Sequence, residues 1–247
     1  MTNRELAAQN LRSIIARIRS VKGDIFNRAA LEELLAKTVA RELRAQLREL
    51  LDLLGDPPDM SKVTEAYWQN GGHALRQSVE PVLRDIYLQQ AQAQLGLSSI
   101  GVDWALVNQG AVEWARKYAF DLVSRITDKN RALLQESIGG FFGQPQTIGE
   151  LAGRLEGAFG PVRAEMISVT EVTRAAVEGE QEIVNRLVTD NPGIVAVDIW
   201  QTNRDDRVCP ICGPRHNRKR GDGWTENPPA HPRCRCWLKH DFERRSG

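Results

Sequence analysis

All four cysteines of this 247-residue chain fall within its last forty residues. They stand as Cys209-Pro210-Ile211-Cys212-Gly213 and, further on, His231-Pro232-Arg233-Cys234-Arg235-Cys236. A C-x-x-C turn presents two sulfurs to one point, and an H-x-x-C-x-C run adds an imidazole and two more thiols. Thiolate and imidazole together suit a borderline-soft dication, and the spacing is that of a zinc knuckle. Cys209, Cys212, His231, Cys234 and Cys236 are five candidates for four tetrahedral positions. Cys209, Cys212 and Cys234 are common to both four-ligand schemes, with His231 and Cys236 competing for the last place. On a strand, Cys234 and Cys236 would face the same side. Disulfides are the competing use of cysteine. The start of the chain has no apolar signal segment, so a reducing compartment and a metal are expected.

A full Cys/His set leaves no coordination position for water, so the zinc is expected to be structural rather than catalytic. Zinc deaminases require H-x-E ahead of P-C-x-x-C, and no H-x-E precedes Cys209 here. His216-Asn217 and Asp222, lying between the ligand pairs, bear a superficial likeness to a His-Asn-His nuclease finger, with His216 or His231 as base. Their spacing to His231 is wrong for it. No catalytic residue is assigned, and the chain is read as a non-enzyme.

These ligands need elements to hold them. Ile194–Trp200 is β-branched and alternating, and reads as a strand after the turn Asn191-Pro192-Gly193. A second strand through Cys234–Leu238 would pair with it antiparallel, the metal clamping the loop between. So small a hairpin is marginal alone, and zinc supplies its cohesion. Everything upstream reads as helix. Residues 4–54 carry Ile14, Ile18, Val21 and Ile25, then Leu31, Leu35, Val39, Leu43, Leu47, Leu50 and Leu54, at spacings of three and four. Gly23-Asp24 can split this stretch, and Gly55-Asp56-Pro57-Pro58 stops it. The stripe calls for a partner, either other helices of the chain or a second subunit met through 1–54. Ser61–Leu95 reads as helix interrupted at Gly71-Gly72, restarted at Pro81 and closed by Gly96.

Helices over 102–126 and 128–138 follow, ahead of a loop Gly139–Gly143. Trp104, Val107, Val112, Trp114, Ala115 and Tyr118 are assigned to core packing. Thr147-Ile148-Gly149-Glu150 is a capping box. It opens a helix that buries Leu151, Leu155 and Phe159 and ends at Gly160. A last helix runs from Pro161 to about Val188. Met166, Val169, Thr173, Ala176, Ile183 and Leu187 share one of its faces, with Glu180 among them as a structural polar contact and Gly179 allowing close approach. The fold class is therefore α+β, mainly α: a long helical body with a small C-terminal zinc-clamped β-hairpin.

The apolar and charged fractions, 41% and 26%, are ordinary for a globular chain, and no apolar run is long enough for a membrane span. The net charge of +1 hides an asymmetry: residues 200–247 hold eleven Lys/Arg against six Asp/Glu. Arg215, Arg218, Lys219 and Arg220 form the densest basic cluster, a solvated loop or a contact for nucleic-acid phosphates.

The helix Met166-Ile167-Ser168-Val169-Thr170-Glu171-Val172-Thr173-Arg174-Ala175 resembles the first signature of the phage head morphogenesis family, the Mu F-like minor head proteins. A strand into Trp200, then Asp206-Arg207-Val208-Cys209-Pro210-x-Cys212, then Pro228-Pro229-Ala230-His231-Pro232-Arg233-Cys234-Arg235-Cys236 follow in the order of that family. The likeness covers roughly residues 101–240. It implies a helical N-terminal region over 1–100 and a Mu F-like module over 101–247, with the zinc hairpin at 191–247. It also implies a virion protein rather than an enzyme: few copies at the portal vertex, partnership with portal and other head proteins, and contact with packaged double-stranded DNA. Such a protein is assembled in the host cytoplasm. Thr170, Glu171 and Arg174 would pack and hydrogen-bond against the hairpin, Glu171 and Arg174 being surface neighbours on the helix. The readings outside that family are a zinc-finger DNA-binding protein and a His-Asn-His-like nuclease.

Overall fold

The structure, a computed structural model, describes residues 3–20, 24–95, 102–143, 147–203 and 205–245. Of the positions singled out above, Val21, Gly23 and Gly96 lie outside the described residues. Among the described residues, six α-helices precede a two-stranded antiparallel sheet: α1 Asn3–Ser20, α2 Arg28–Leu54, α3 Glu65–Leu95, α4 Trp104–Gly143, α5 Ile148–Phe159, α6 Pro161–Asp190, β1 Ile194–Gln201 and β2 Trp237–Arg244. The mainly helical α+β class is what the sequence leads one to expect. None of these helices is long and apolar enough to cross a membrane.

The chain forms two compact units. One comprises residues 1–29, 84–113 and 169–247; the other comprises 30–83 and 114–168. Each therefore draws on chain from both sides of residue 100.

The second unit is helical. The α2 stripe Leu31, Leu35, Val39, Leu43, Leu47, Leu50 and Leu54 is buried throughout, so the chain covers it itself. Sequence expectations of breaks fail at Gly71-Gly72 and Pro81 in α3, and at 126–128 and Gly139-Gly140 in α4. Helix α3 is continuous through Gly71-Gly72 and Pro81. Gly71 is not a break but a point of close approach: a Cβ there would lie 3.0 Å from the Gln46 side chain, whose amide donates to the Gly71 carbonyl at 2.9 Å. Pro81 lacks an amide donor, but it and Gln77, whose carbonyl loses that donor, are both exposed to water. Helix α4 likewise runs unbroken through 126–128 and through Gly139-Gly140 to Gly143. Gly140 lies close to Arg154 of α5, leaving 3.0 Å between an added Cβ and the guanidinium.

Helix α5 begins at the expected capping box. Thr147 accepts from the Glu150 amide at 3.3 Å, and Glu150 accepts from the Thr147 amide at 2.7 Å. Leu151, Leu155 and Phe159 are fully buried beneath it. Among the α4 residues assigned to the core, Val107 and Ala115 are buried, whereas Val112 is 39% exposed. Trp104 is half-buried, as are Trp114 and Tyr118, which stack on each other with centroids 5.1 Å apart.

The first unit packs α1, the end of α3, the start of α4 and most of α6 around the sheet. Ile18, Val184, Leu187 and Phe242 form one apolar cluster, and Ala91, Leu95, Val107 and Ile183 another. Gly179 of α6 rests against the α3 backbone, where a Cβ would overlap the Tyr87 carbonyl. In the sheet, Asp198 pairs with His240 and Trp200 with Leu238, and all four side chains face inward. β2 starts at Trp237, so Cys234 and Cys236 precede the strand rather than lie on it. The 202–236 connection also returns along the other edge of β1. There Trp200 donates to the Arg218 carbonyl (3.0 Å), and the amides of Asn217 and Arg220 donate to Trp200 and Asp198 (2.8 and 2.9 Å).

Candidate metal centre

The connection between the strands brings together all five expected ligands. Their donor atoms form two tight triads, Cys209–Cys212–His231 and Cys212–Cys234–Cys236, which share Cys212. His231 Nε2 lies 3.0 Å from Cys209 Sγ and 3.3 Å from Cys212 Sγ, and the sulfurs of Cys212 and Cys234 are 3.8 Å apart. No disulfide joins the cysteines, all four being free thiols. Two thiolates each about 2.3 Å from one tetrahedral ion lie about 3.8 Å apart, so the spacing fits a shared metal. The cluster can hold a metal ion.

Local folding explains the convergence. Cys209 accepts from the Cys212 amide, and the Cys209 carbonyl accepts from the amides of Cys212 and Gly213, closing a turn that points both sulfurs one way. His231 Nδ1 is 2.7 Å from the Pro232 carbonyl. A carbonyl can only accept, so Nδ1 carries the proton and Nε2 turns a lone pair toward the sulfurs. Cys212, Cys234 and Cys236 are buried with Trp200, Trp224, Val177 and Leu238. Packed this closely, the thiols cannot ionise independently. The hydrogen bond between Cys212 and Cys234 holds Cys234 down and pushes Cys212 up. A bound dication would remove that conflict by stabilising each coordinating sulfur as a thiolate.

Helix α6 grips this loop through the Thr170–Arg174 segment. The Thr170 hydroxyl accepts from the Arg233 amide at 2.9 Å. The Thr173 hydroxyl donates to the Cys234 carbonyl at 2.8 Å and accepts from Arg28 at 2.8 Å. Arg28 reaches on to the Arg235 carbonyl at 3.2 Å and pairs with Asp24. Glu171, buried, pairs with Arg174 at 3.3 Å. Sequence reasoning did not single out Arg28. An Asp-x-x-x-Arg pair before a helix is too common to identify it.

The basic cluster is spoken for within the chain. Arg218 meets both oxygens of Asp222 at 3.0 Å, and Lys219 pairs with Glu243 at 2.9 Å. Arg220 pairs with Asp198 at 2.8 Å, and Arg215 lies over the Trp200 ring. The groups of the nuclease reading stay apart in function: His216 Nδ1 accepts from the Thr202 amide, Asn217 from Gln201, and Asp222 from Arg218.

Asp198 forms a second polar centre. Burial alone would raise its carboxyl, but hydrogen bonds and charge from His240 and Arg220 outweigh burial and hold it below the usual range. Glu180, expected to be a structural polar contact, is buried, and its Oε2 has no hydrogen-bond partner among the described residues. Burial pushes its carboxyl up to about 8.

Comparison of the chain with protein-family models, with curated proteins and with solved structures finds no match.

Proposed function

We propose that this chain is a minor head protein of a tailed phage or prophage, resident in the virion at the portal vertex and needed for head morphogenesis. On this reading zinc is the metal of the Cys/His cluster, and its role is structural. The observation that supports it is the junction of the two motifs on which the family resemblance rests. The T-E-x-T-R-A segment of α6 and the H-P-x-C-R-C segment are about sixty residues apart in sequence. They are joined by Thr170 to Arg233 and by Thr173 to Cys234, with Arg28 tying Thr173 to Arg235. A loop held both by a metal and by a helix is a rigid element suited to docking on another protein. We assign no catalysis to it, since the full donor set leaves no position for a reacting water. Contact with double-stranded DNA enters this reading as an exchange of the partners of Arg218, Lys219 and Arg220 for phosphates, which salt-dependent binding would register.

Two measurements test the proposal. Elemental analysis of protein purified without added metal should find one zinc per chain, with the thiols masked until chelation; four freely titrating thiols and no metal would remove the clamp. Mass spectrometry of purified heads, with co-purification on a portal ring, should find the chain at a few copies per vertex. Heads of full infectivity lacking the chain would overturn the assignment.

A further inference from the structure

Away from the cysteine cluster, the first unit contains a pocket of about 190 Å³ between α3, α6, β2 and the segment leading into α2. Ile18, Phe26, Ala93, Trp237 and Leu238 give it apolar walls, and Gln94, Glu180 and His240 give it polar ones. Each of these three polar side chains is more than nine-tenths buried. Each also has an atom without a hydrogen-bond partner among the described residues: Gln94 Oε1, Glu180 Oε2 and His240 Nε2.

Their chemistry is one-sided. His240 Nδ1 lies 2.8 Å from Asp198 Oδ1, and the Asp198 carboxylate also binds Arg220. A carboxylate only accepts, so in neutral His240 the proton sits on Nδ1 and Nε2 offers a lone pair. With Glu180 ionised, as above about pH 8, all three orphan atoms are acceptors, and buried polar atoms are rarely left unmatched. The remaining polar groups around them are engaged. Gln90 makes a double hydrogen bond with the Phe26 backbone (3.1 and 2.8 Å), and Asp24 holds Arg28. The wall is therefore fixed, and the side chains present a surplus of acceptors to a space smaller than the ~300 Å³ at which drug-sized pockets begin.

We propose that this pocket binds a small primary ammonium ion, whose three N–H donors match the three orphan acceptors and whose short alkyl stem meets Phe26, Trp237 and Leu238. An ammonium carries three donors and no acceptor, which no single water provides. Its charge is complementary to Glu180.

The test is calorimetric titration of the full-length, metal-loaded protein with n-propylammonium at pH 9, where an aliphatic ammonium of pKa about 10.4 stays charged. Tetramethylammonium, of equal charge but without N–H donors, serves as the control. Propylammonium should bind at least tenfold more tightly than the control, and Glu180→Gln should weaken it at least tenfold. Affinity should fall between pH 9 and pH 6 as Glu180 takes up a proton. The other charged or titratable groups at the pocket, Asp24 with Arg28, His240 and the exposed Lys239, stay with their own partners or with solvent. The His240 Nε2 nitrogen resonance should shift on binding, which reports the contact independently of the variant. No binding, equal binding of tetramethylammonium, unchanged affinity in Glu180→Gln or an unmoved Nε2 signal would each overturn the proposal and leave the pocket to water.

Discussion

Replacing Gly179 with alanine should destabilise the protein, against the ordinary trend. In a helix interior, glycine to alanine gains about 1 kcal/mol because alanine loses less backbone entropy. At position 179 the new methyl would overlap the Tyr87 carbonyl oxygen and lie 2.9 and 3.1 Å from the Tyr87 carbonyl carbon and Cα. Carbon atoms pack at roughly 3.5–4.0 Å, and these neighbours are backbone of α3, not the end of a side chain that can swing away. Relief requires α6 and α3 to separate, which loosens Ile183 from Ala91 and Leu95. Overpacking of this kind costs about 1–3 kcal/mol, enough to cancel the propensity gain and reverse the sign. Gly110 in α4 of the same unit is the control: its nearest neighbour would be Glu182 at 3.5 Å, an ordinary contact. Urea denaturation of both variants should place Gly110→Ala at or above the parent midpoint and Gly179→Ala below it, about 2 kcal/mol apart. A Gly179→Ala midpoint matching that of Gly110→Ala would refute the close-approach argument.

Three further outcomes are expected. Cys212→Ser, which removes the thiol common to both triads, should abolish metal retention; chelation of the parent should do the same and shift tryptophan emission to the red as buried Trp200 and Trp224 meet water. Retained metal in the variant would show the ligand set to be wrong. Thr147→Ala should cost about 1 kcal/mol, read as a fall in melting temperature of roughly 2–4 °C, through loss of the capping box. Glu180→Gln should change stability in a pH-dependent way. The folded carboxyl titrates at about 8, above its ordinary 4.5, so its contribution is complete below 4.5 and is lost as pH rises through about 8. Without added amine, the variant should match the parent near pH 4 and exceed it at pH 9 by on the order of a few kcal/mol; parallel stability–pH curves would refute the assignment of that shift.

Periodicity made the helices, and alternation made the first strand, legible from sequence because each records a buried face. The apolar stripe of α2 and the capping box of α5 are local patterns with local causes. The failures at Gly71 and Gly140 share one origin. A glycine that ends a helix and one that lets a neighbour approach look alike in sequence, and only the position of Gln46 or Arg154 separates them. The five Cys/His residues of the cluster were readable because spacing alone restricts them. Their order along the strand was not: Cys234 and Cys236 precede β2, where the Thr173 contact holds the backbone. The unpaired state of Glu180 depends on α3 and β2 packing across it, which no local pattern encodes.

Arg220 links the basic loop directly to the wall of the buried pocket. It sits in the basic loop, yet its guanidinium binds the same Asp198 carboxylate that fixes the proton on His240. A phosphate that claimed Arg220 would leave the Asp198 carboxylate to His240 alone among the described residues, loosening the anchor that sets which imidazole nitrogen faces the pocket. Linkage makes such an effect reciprocal. Any ligand that reorganises His240 from inside the pocket must change, by the same factor, the readiness of the loop to release its arginine.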